Sequence, residues 1–177
     1  MSAAAASEGS EASIDGARRG DPEALASLYR THGAVLYRLA YRLTGTRQDA
    51  EDVVHDVFVG LPKALGRYEE RGSFASWLKR VTARVALMRL RARTRRREVG
   101  IEATLPTVAP PFDSATVALR AAVDALPDPL RAVLVLKEIE GYSHAEVGEL
   151  LGISAGASRV RLNRAMRRLR KTLEDGR

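Results

Sequence analysis

The chain has 177 residues, room for one domain or two small ones, and is 45% hydrophobic but only 5% aromatic, with a net charge of +7. Ala, Leu, Arg and Glu dominate and strand-forming runs are scarce, which points to an all-α fold, while the excess positive charge suits an anionic partner, nucleic acid or a membrane surface. The lack of cysteine excludes a disulfide framework, a thiol nucleophile and cysteine-ligated metal sites, and no run approaches the ~20 apolar residues that span a bilayer.

Residues 1–18 are mostly Ala, Ser, Gly and Glu, too poor in bulky apolar side chains to offset the entropy of ordering, and are expected to form a flexible tail. The start, MSAAAASEGSEAS, lacks the charged and apolar regions of a secretion signal, so a cytoplasmic location is expected. Folding should begin near Asp21, an N-cap before Pro22. Leu25, Leu28, Tyr29, Leu36, Leu39, Ala40 and Leu43 then keep helical spacing up to Gly45, with Gly33 as a place to bend or break. Thr46 with Asp49 opens a second helix carrying Val53, Val54, Val57, Phe58 and Leu61, whose end is weakened by Gly60 and Pro62. The polar loop GRYEERG at 66–72 precedes a long helix with Phe74, Trp77, Leu78, Val81 and Val85 on its apolar side, ending in RLRARTRRR at 89–97. Residues 101–115, IEATLPTVAPPFDSA, read as a linker because Pro106, Pro110 and Pro111 break regular structure.

Beyond the linker come a helix around 116–126, another opened by Asp128 and Pro129 and ended by Gly141, and then SHAEVGELLGISAGASRVRLNRAMRRLRKTL at 143–173. In that last tract Ser143 and Glu146 form a capping box, Gly152 ends the first helix, Ser154 caps the second, and Leu162, Ala165, Met166, Leu169 and Leu173 make one apolar face. The opposite face is basic. Arg159, Arg161, Asn163, Arg164, Arg167, Arg168, Arg170 and Lys171 are side-chain types that pair with phosphates and with purine edges in the major groove, so the tract resembles a helix-turn-helix rather than a merely solvated helix.

Two other clusters have the residue types of a site. Asp49, Asp52 and Asp56 fall at i, i+3, i+7 on one helical face beside Glu51. They serve either as a protein-docking stripe or as helix-dipole partners, and a catalytic or metal role would need a pocket the pattern does not supply. His32, His55 and His144 are scattered, without strong metal-ligand spacing, and no phosphate loop or nucleophile motif is present, so no cofactor is expected. The segment GRYEERGSFASWLKRVTAR mixes Tyr68, Phe74 and Trp77 with Arg67, Arg71, Lys79, Arg80 and Arg84, a combination in which rings stack on unpaired bases while cations hold the backbone; the spacing of Phe74, Leu78 and Val81 fits a core better, Trp77 fits either role, and Tyr68 in the loop fits the functional one.

The ordered set AEDVVHDVF at 50–58, SFASWLKRVTAR at 73–84, an Arg-rich helix end, a Pro-rich linker and ALPDPLRAVLVLKEIEGYSHAEVGELLGIS at 125–154 resembles the bacterial sigma-70 family, specifically its small extracytoplasmic-function (ECF) group. The resemblance implies an all-α chain of two small helical domains. It divides into a tail at 1–18, sigma region 2 at 19–98, a flexible linker at 99–116 and sigma region 4, the helix-turn-helix, at 117–177. It implies no enzymatic activity but promoter-specific transcription initiation with core RNA polymerase. Asp49, Glu51, Asp52 and Asp56 would dock on the β′ clamp helices, and the helices before the recognition helix would meet the β flap. Arg67, Tyr68, Phe74, Trp77, Lys79, Arg80 and Arg84 would melt and hold the minus-ten element of promoter DNA. Ser158, Arg159, Arg161, Asn163, Arg164, Arg167 and Arg168 would read the minus-thirty-five element. An anti-sigma factor is a further implied partner. The sequence departs from the family pattern at His55, Gly60, Pro62, Arg84 and Met88, and in GASRVRL at 156–162, where GTVKSRL is usual.

Overall fold

The computed structural model describes residues 12–69, 72–98 and 114–175, and among them every regular element is helical. Residues 12–18, expected within a flexible tail, form a short helix, α1, because Ile14 and Ala17 pack into the core and Arg18 Nε donates to the Leu65 carbonyl at 3.3 Å. The backbone of α1 lies so close to the next helix that a Cβ on Gly16 would come within 2.6 Å of Ala24 Cβ.

Helix α2 (Pro22–Thr44) starts as the sequence dictates, with the Asp21 carboxylate accepting from the Glu23 N–H at 3.0 Å, and ends at Gly45, whose φ of 78° is cheap only for glycine. Gly33 does not break it. That residue is buried under the Tyr29 ring, whose atoms lie 3.5 Å from where a Cβ would stand. Helix α3 (Arg47–Leu65), capped by Thr46, likewise runs through Gly60 and Pro62: proline removes one hydrogen bond near the last turn, and the fully buried Leu61 and Leu65 hold that turn in place. Helix α4 (Phe74–Glu98) is about 37 Å long at 1.5 Å per residue. Helices α2, α3 and α4 pack pairwise around Leu36, Leu39, Leu43, Val53, Val57 and Leu78, all at most 2% exposed.

The second domain comprises α5 (Ser114–Asp124), α6 (Asp128–Leu134), a π-helical turn (Val135–Ile139), α7 (His144–Leu151) and α8 (Ala155–Asp175). Most of the expected linker, 99–113, lies outside the described residues, and α5 begins within its last residues. A small cluster of Ala122, Leu126, Leu134, Ala165 and Leu169 joins α5, α6 and α8. The rest of the domain's apolar face, including Ala132, Val133, Leu136 and Val147, merges with the core of the first domain.

Polar ties frame that shared core. Arg131, only 4% exposed, reaches from α6 to the end of α2: its Nε donates to the Leu43 carbonyl at 3.2 Å, Nη1 to the carbonyls of Asp124 (3.2 Å) and Leu126 (3.0 Å), and Nη2 to the Asp128 carboxylate. Arg93 of α4 comes from the other side, bonding the Thr44 carbonyl at 3.2 Å, Asp49 at 2.9 Å and Asp128 at 3.1 Å. Two guanidiniums thus meet the carbonyl end of α2, where the helix dipole is negative, and Asp128 bridges them. Asp128 was expected to open α6 together with Pro129; it is the first helical residue, and its carboxylate turns to these arginines instead of capping the helix. Nearer the rim, Glu140 takes both Arg42 (3.2 Å) and Lys79 (3.0 Å), and Arg91 Nη2 donates to the Leu150 carbonyl at 3.1 Å.

Candidate nucleic-acid and polymerase-docking surfaces

The acidic face of α3 is half-exposed and internally paired. Arg89 of α4 lies between Asp52 (2.5 Å) and Asp56 (3.6 Å), Asp49 is bound to Arg93, and Glu51 pairs with Arg47 at 2.8 Å. About half of the Asp52 and Asp56 side-chain surfaces remains open, whereas Asp49 is drawn into the tie between domains. Beside Asp52 a groove of about 950 Å³ runs between α2 and α3 over Tyr29, Gly33, Tyr37 and Val54. It is wide and open, suited to another protein's surface rather than to a small substrate. No group of acidic or histidine side chains among the described residues is arranged to hold a metal ion.

At the start of α4 the three rings form one cluster. Tyr68 and Trp77 have centroids 4.8 Å apart, Phe74 and Trp77 stack at 5.7 Å, and Tyr68 meets Phe74 edge-on at 5.6 Å. Their exposure separates their roles. Phe74 is buried at 8% and also contacts His32, whose imidazole burial holds below its usual pKa; it is a core residue that supports the other two rings, not a base contact. Tyr68 and Trp77 each keep a half-exposed side. Of the surrounding cations, Arg67 and Arg84 are exposed, while Lys79 pairs with Glu140 and Arg80 with Glu146 at 2.8 Å, both in the second domain. Arg71 lies outside the described residues.

The helix-turn-helix forms as its caps require. The Ser143 hydroxyl accepts from the Glu146 N–H, the Glu146 carboxylate accepts from both the Ser143 N–H and the Ser143 hydroxyl at 2.9 Å, and these two donors hold the Glu146 carboxyl below its ordinary pKa. Ser154 Oγ accepts from the Ala157 N–H at 3.0 Å, capping α8. The turn is tight: a Cβ on Gly148 would lie 2.6 Å from the Ile153 carbonyl oxygen. Gly148→Ala should therefore destabilise the protein by about 1–3 kcal/mol, although alanine is the better helix former, and lower the thermal midpoint by several degrees. An unchanged midpoint would mean that the turn yields without cost.

On α8, Arg159, Asn163, Arg164, Arg167 and Arg168 are exposed, as a reading face requires, and none has an ion-pair partner among the described residues. Two candidates fall elsewhere. Ser158 is fully buried, its Oγ 2.9 Å from His144 Nδ1, so it fixes α8 against α7 and cannot reach a base. Arg161 is half-buried and lines a cleft of about 380 Å³ toward Leu87, Leu90 and Arg91 of α4, facing the first domain. Met166, placed on the apolar face, is 37% exposed at its edge. Arg131, Asp128, Arg93 and Glu140 form no recognisable set in the sequence; the one signal there is an arginine inside the apolar run LRAVLVL.

A family model described as Sigma-70 region 2 matches residues 28–96, and one described as Sigma-70, region 4 matches residues 116–169. The chain is 37% identical over 166 residues to the ECF RNA polymerase sigma factor SigE of Mycolicibacterium smegmatis, covering 87% of this chain and 64% of that protein, so it spans less than two thirds of that relative's length. It is 34% identical over 165 residues to the RNA polymerase sigma factor CarQ of Myxococcus xanthus, covering 88% of this chain and 92% of that one. In fold it resembles the sigma factor RpoE of Bartonella quintana, solved in complex with the anti-sigma factor NepR, at a TM-score of 0.66 and 22% identity over 86% of this chain and 97% of that one. It also resembles CnrH, solved in complex with the cytosolic domain of CnrY, at a TM-score of 0.57 and 25% identity over 94% and 98% of the two chains.

Proposed function

The chain belongs to the sigma-70 family, in its ECF group, and from that membership we propose that it binds core RNA polymerase and directs it to promoters by reading a minus-thirty-five duplex and opening a minus-ten element. The observation that carries this reading is the pairing, in one chain, of a basic face on α8 whose arginines meet no acidic partner among the described residues with half-exposed Tyr68 and Trp77 at the head of α4. The mechanism is differential binding. α8 holds the upstream duplex mainly through phosphates, while Tyr68 and Trp77 stack on bases that leave the helix, offsetting part of the cost of opening. No bond is made or broken by this chain; the α3 carboxylates, already paired with arginines, serve as a docking stripe for the β′ clamp helices rather than as metal ligands.

The closed arrangement adds a condition. Lys79 and Arg80 must exchange Glu140 and Glu146 for phosphates before the melted strand is fully held, so promoter engagement and separation of the domains go together. An anti-sigma factor is a further partner of this reading, as NepR is for the sigma factor RpoE of Bartonella quintana, and the site of action is the cytoplasm, with polymerase and DNA; no described helix is long and apolar enough to cross a membrane. The test is reconstitution of the purified protein with core polymerase, which should give initiation at discrete start sites that core polymerase alone does not use. Charge reversal of both Asp52 and Asp56 to Lys should reduce retention of core polymerase at least tenfold in a pull-down. Undiminished retention would remove the acidic stripe from the docking surface.

A further inference from the structure

One residue on the basic face of α8 does not belong there by charge. Val160 is 49% exposed; of its neighbours at helical spacing Gly156, Asn163, Arg164 and Arg167 are exposed, and Ala157 is half-buried. It packs into neither apolar cluster, and a β-branched residue is a poorer helix former than the arginines around it, so neither burial nor helix propensity accounts for it. Gly156, one turn earlier, has no side-chain atom nearer than 3.8 Å to the place of a Cβ, and the missing side chain leaves a notch on the same strip. Flanking cations that bind phosphates would press this strip against the floor of a major groove. An isopropyl group there has no donor and no acceptor. Against a guanine or cytosine edge it would strip water from polar groups and return nothing; the one apolar feature a base pair offers in that groove is the 5-methyl of thymine.

The geometry points to Val160 as a specificity-determining residue that selects a thymine in the upstream promoter element through its 5-methyl group. This deepens the assignment of α8 as the duplex reader and rests on it.

The methyl can be removed without touching any hydrogen-bonding group, by replacing thymine with deoxyuridine. The chain with core polymerase is first used to select upstream elements from a randomised duplex, and each thymine of the selected site, on either strand, is then replaced in turn. One replacement should weaken binding of the wild type about 4-fold, the worth of one buried methyl-sized group. Val160→Ala should abolish that difference and relax the selected base at that position. A flat deoxyuridine scan, or sensitivity at the same thymine persisting in Val160→Ala, overturns the inference. Failure of the underlying reading looks different: Arg164→Ala and Arg167→Ala would then leave duplex binding unchanged, whereas they should weaken it at every sequence if α8 is the reader, whatever Val160 does.

Discussion

Arg131→Met should cost the protein about 3–5 kcal/mol and detach its two domains from each other. The stem of methionine fills much of the same space, so the loss is chiefly polar. The carbonyls of Leu43, Asp124 and Leu126 lose their donor inside the protein, and Asp128 is left with Arg93 alone. An unsatisfied buried acceptor costs about 1–3 kcal/mol, and three acceptors and a carboxylate are affected together. Part of this cost falls on the turn between α5 and α6, which Arg131 closes, and part on the seam with α2. Chemical denaturation should report the first, and a larger radius of gyration in solution scattering the second. Arg131→Lys keeps the charge but replaces a planar fork with a single ammonium, and should recover only a minority of the loss. Wild-type stability and radius in Arg131→Met would show that the seam is held without Arg131, by its apolar contacts and the remaining ties of Arg93, Glu140 and Arg80.

Trp77→Ala should leave recruitment to duplex promoter DNA within about twofold and depress open-complex formation by about 5- to 150-fold, the equivalent of 1–3 kcal/mol for one stacked base. The basis is the division of labour among the three rings: Phe74 is buried against the other two, while Trp77 stays half-exposed, with the exposed Arg84 seven residues, about two turns, further along the same helix. Reactivity of unpaired thymines toward permanganate follows the melted state directly, and a thermal melt of the variant shows whether the ring cluster has survived truncation. Trp77→Phe, which keeps a π-face, should restore part of the effect. A variant that loses recruitment but melts normally once bound would exchange the roles assigned to α4 and α8.

Local chemistry was readable from the residues alone. The Asp21 and Thr46 caps, the Ser143–Glu146 box, the Gly152 stop and the i, i+3, i+7 acids of α3 depend on neighbours within a turn or two, and they stand where spacing puts them. Ser158 could also have been placed correctly, since the steps from 158 to 162, 165 and 169 are four, three and four and lead to the half-buried Leu162 and the buried Ala165 and Leu169. The family's GTVKSRL has an apolar valine at this place, so the anchor position is legible in the sequence even though a small polar side chain fills it. Helix α1 escaped notice because two apolar side chains, Ile14 and Ala17, are too few to show a period. The seam between domains was illegible for a deeper reason. Arg131 to Leu43 spans 88 positions and Lys79 to Glu140 spans 61, and no periodicity within either helix records which distant carbonyl or carboxylate a cation will meet.

The π-helical turn that follows α6 gives this seam an arithmetic character. Its Glu140 N–H reaches back five residues to the Val135 carbonyl, and the Tyr142 N–H reaches six to Leu136, so the helix holds one residue more than an α-helix of the same span. In an uninterrupted α-helix the place now held by Glu140 would fall to Ile139, and Arg42 and Lys79 would face an aliphatic side chain instead of a carboxylate. The match between the two halves of the molecule therefore depends on a headcount as well as on chemistry: a change of length by one here is a change of partner.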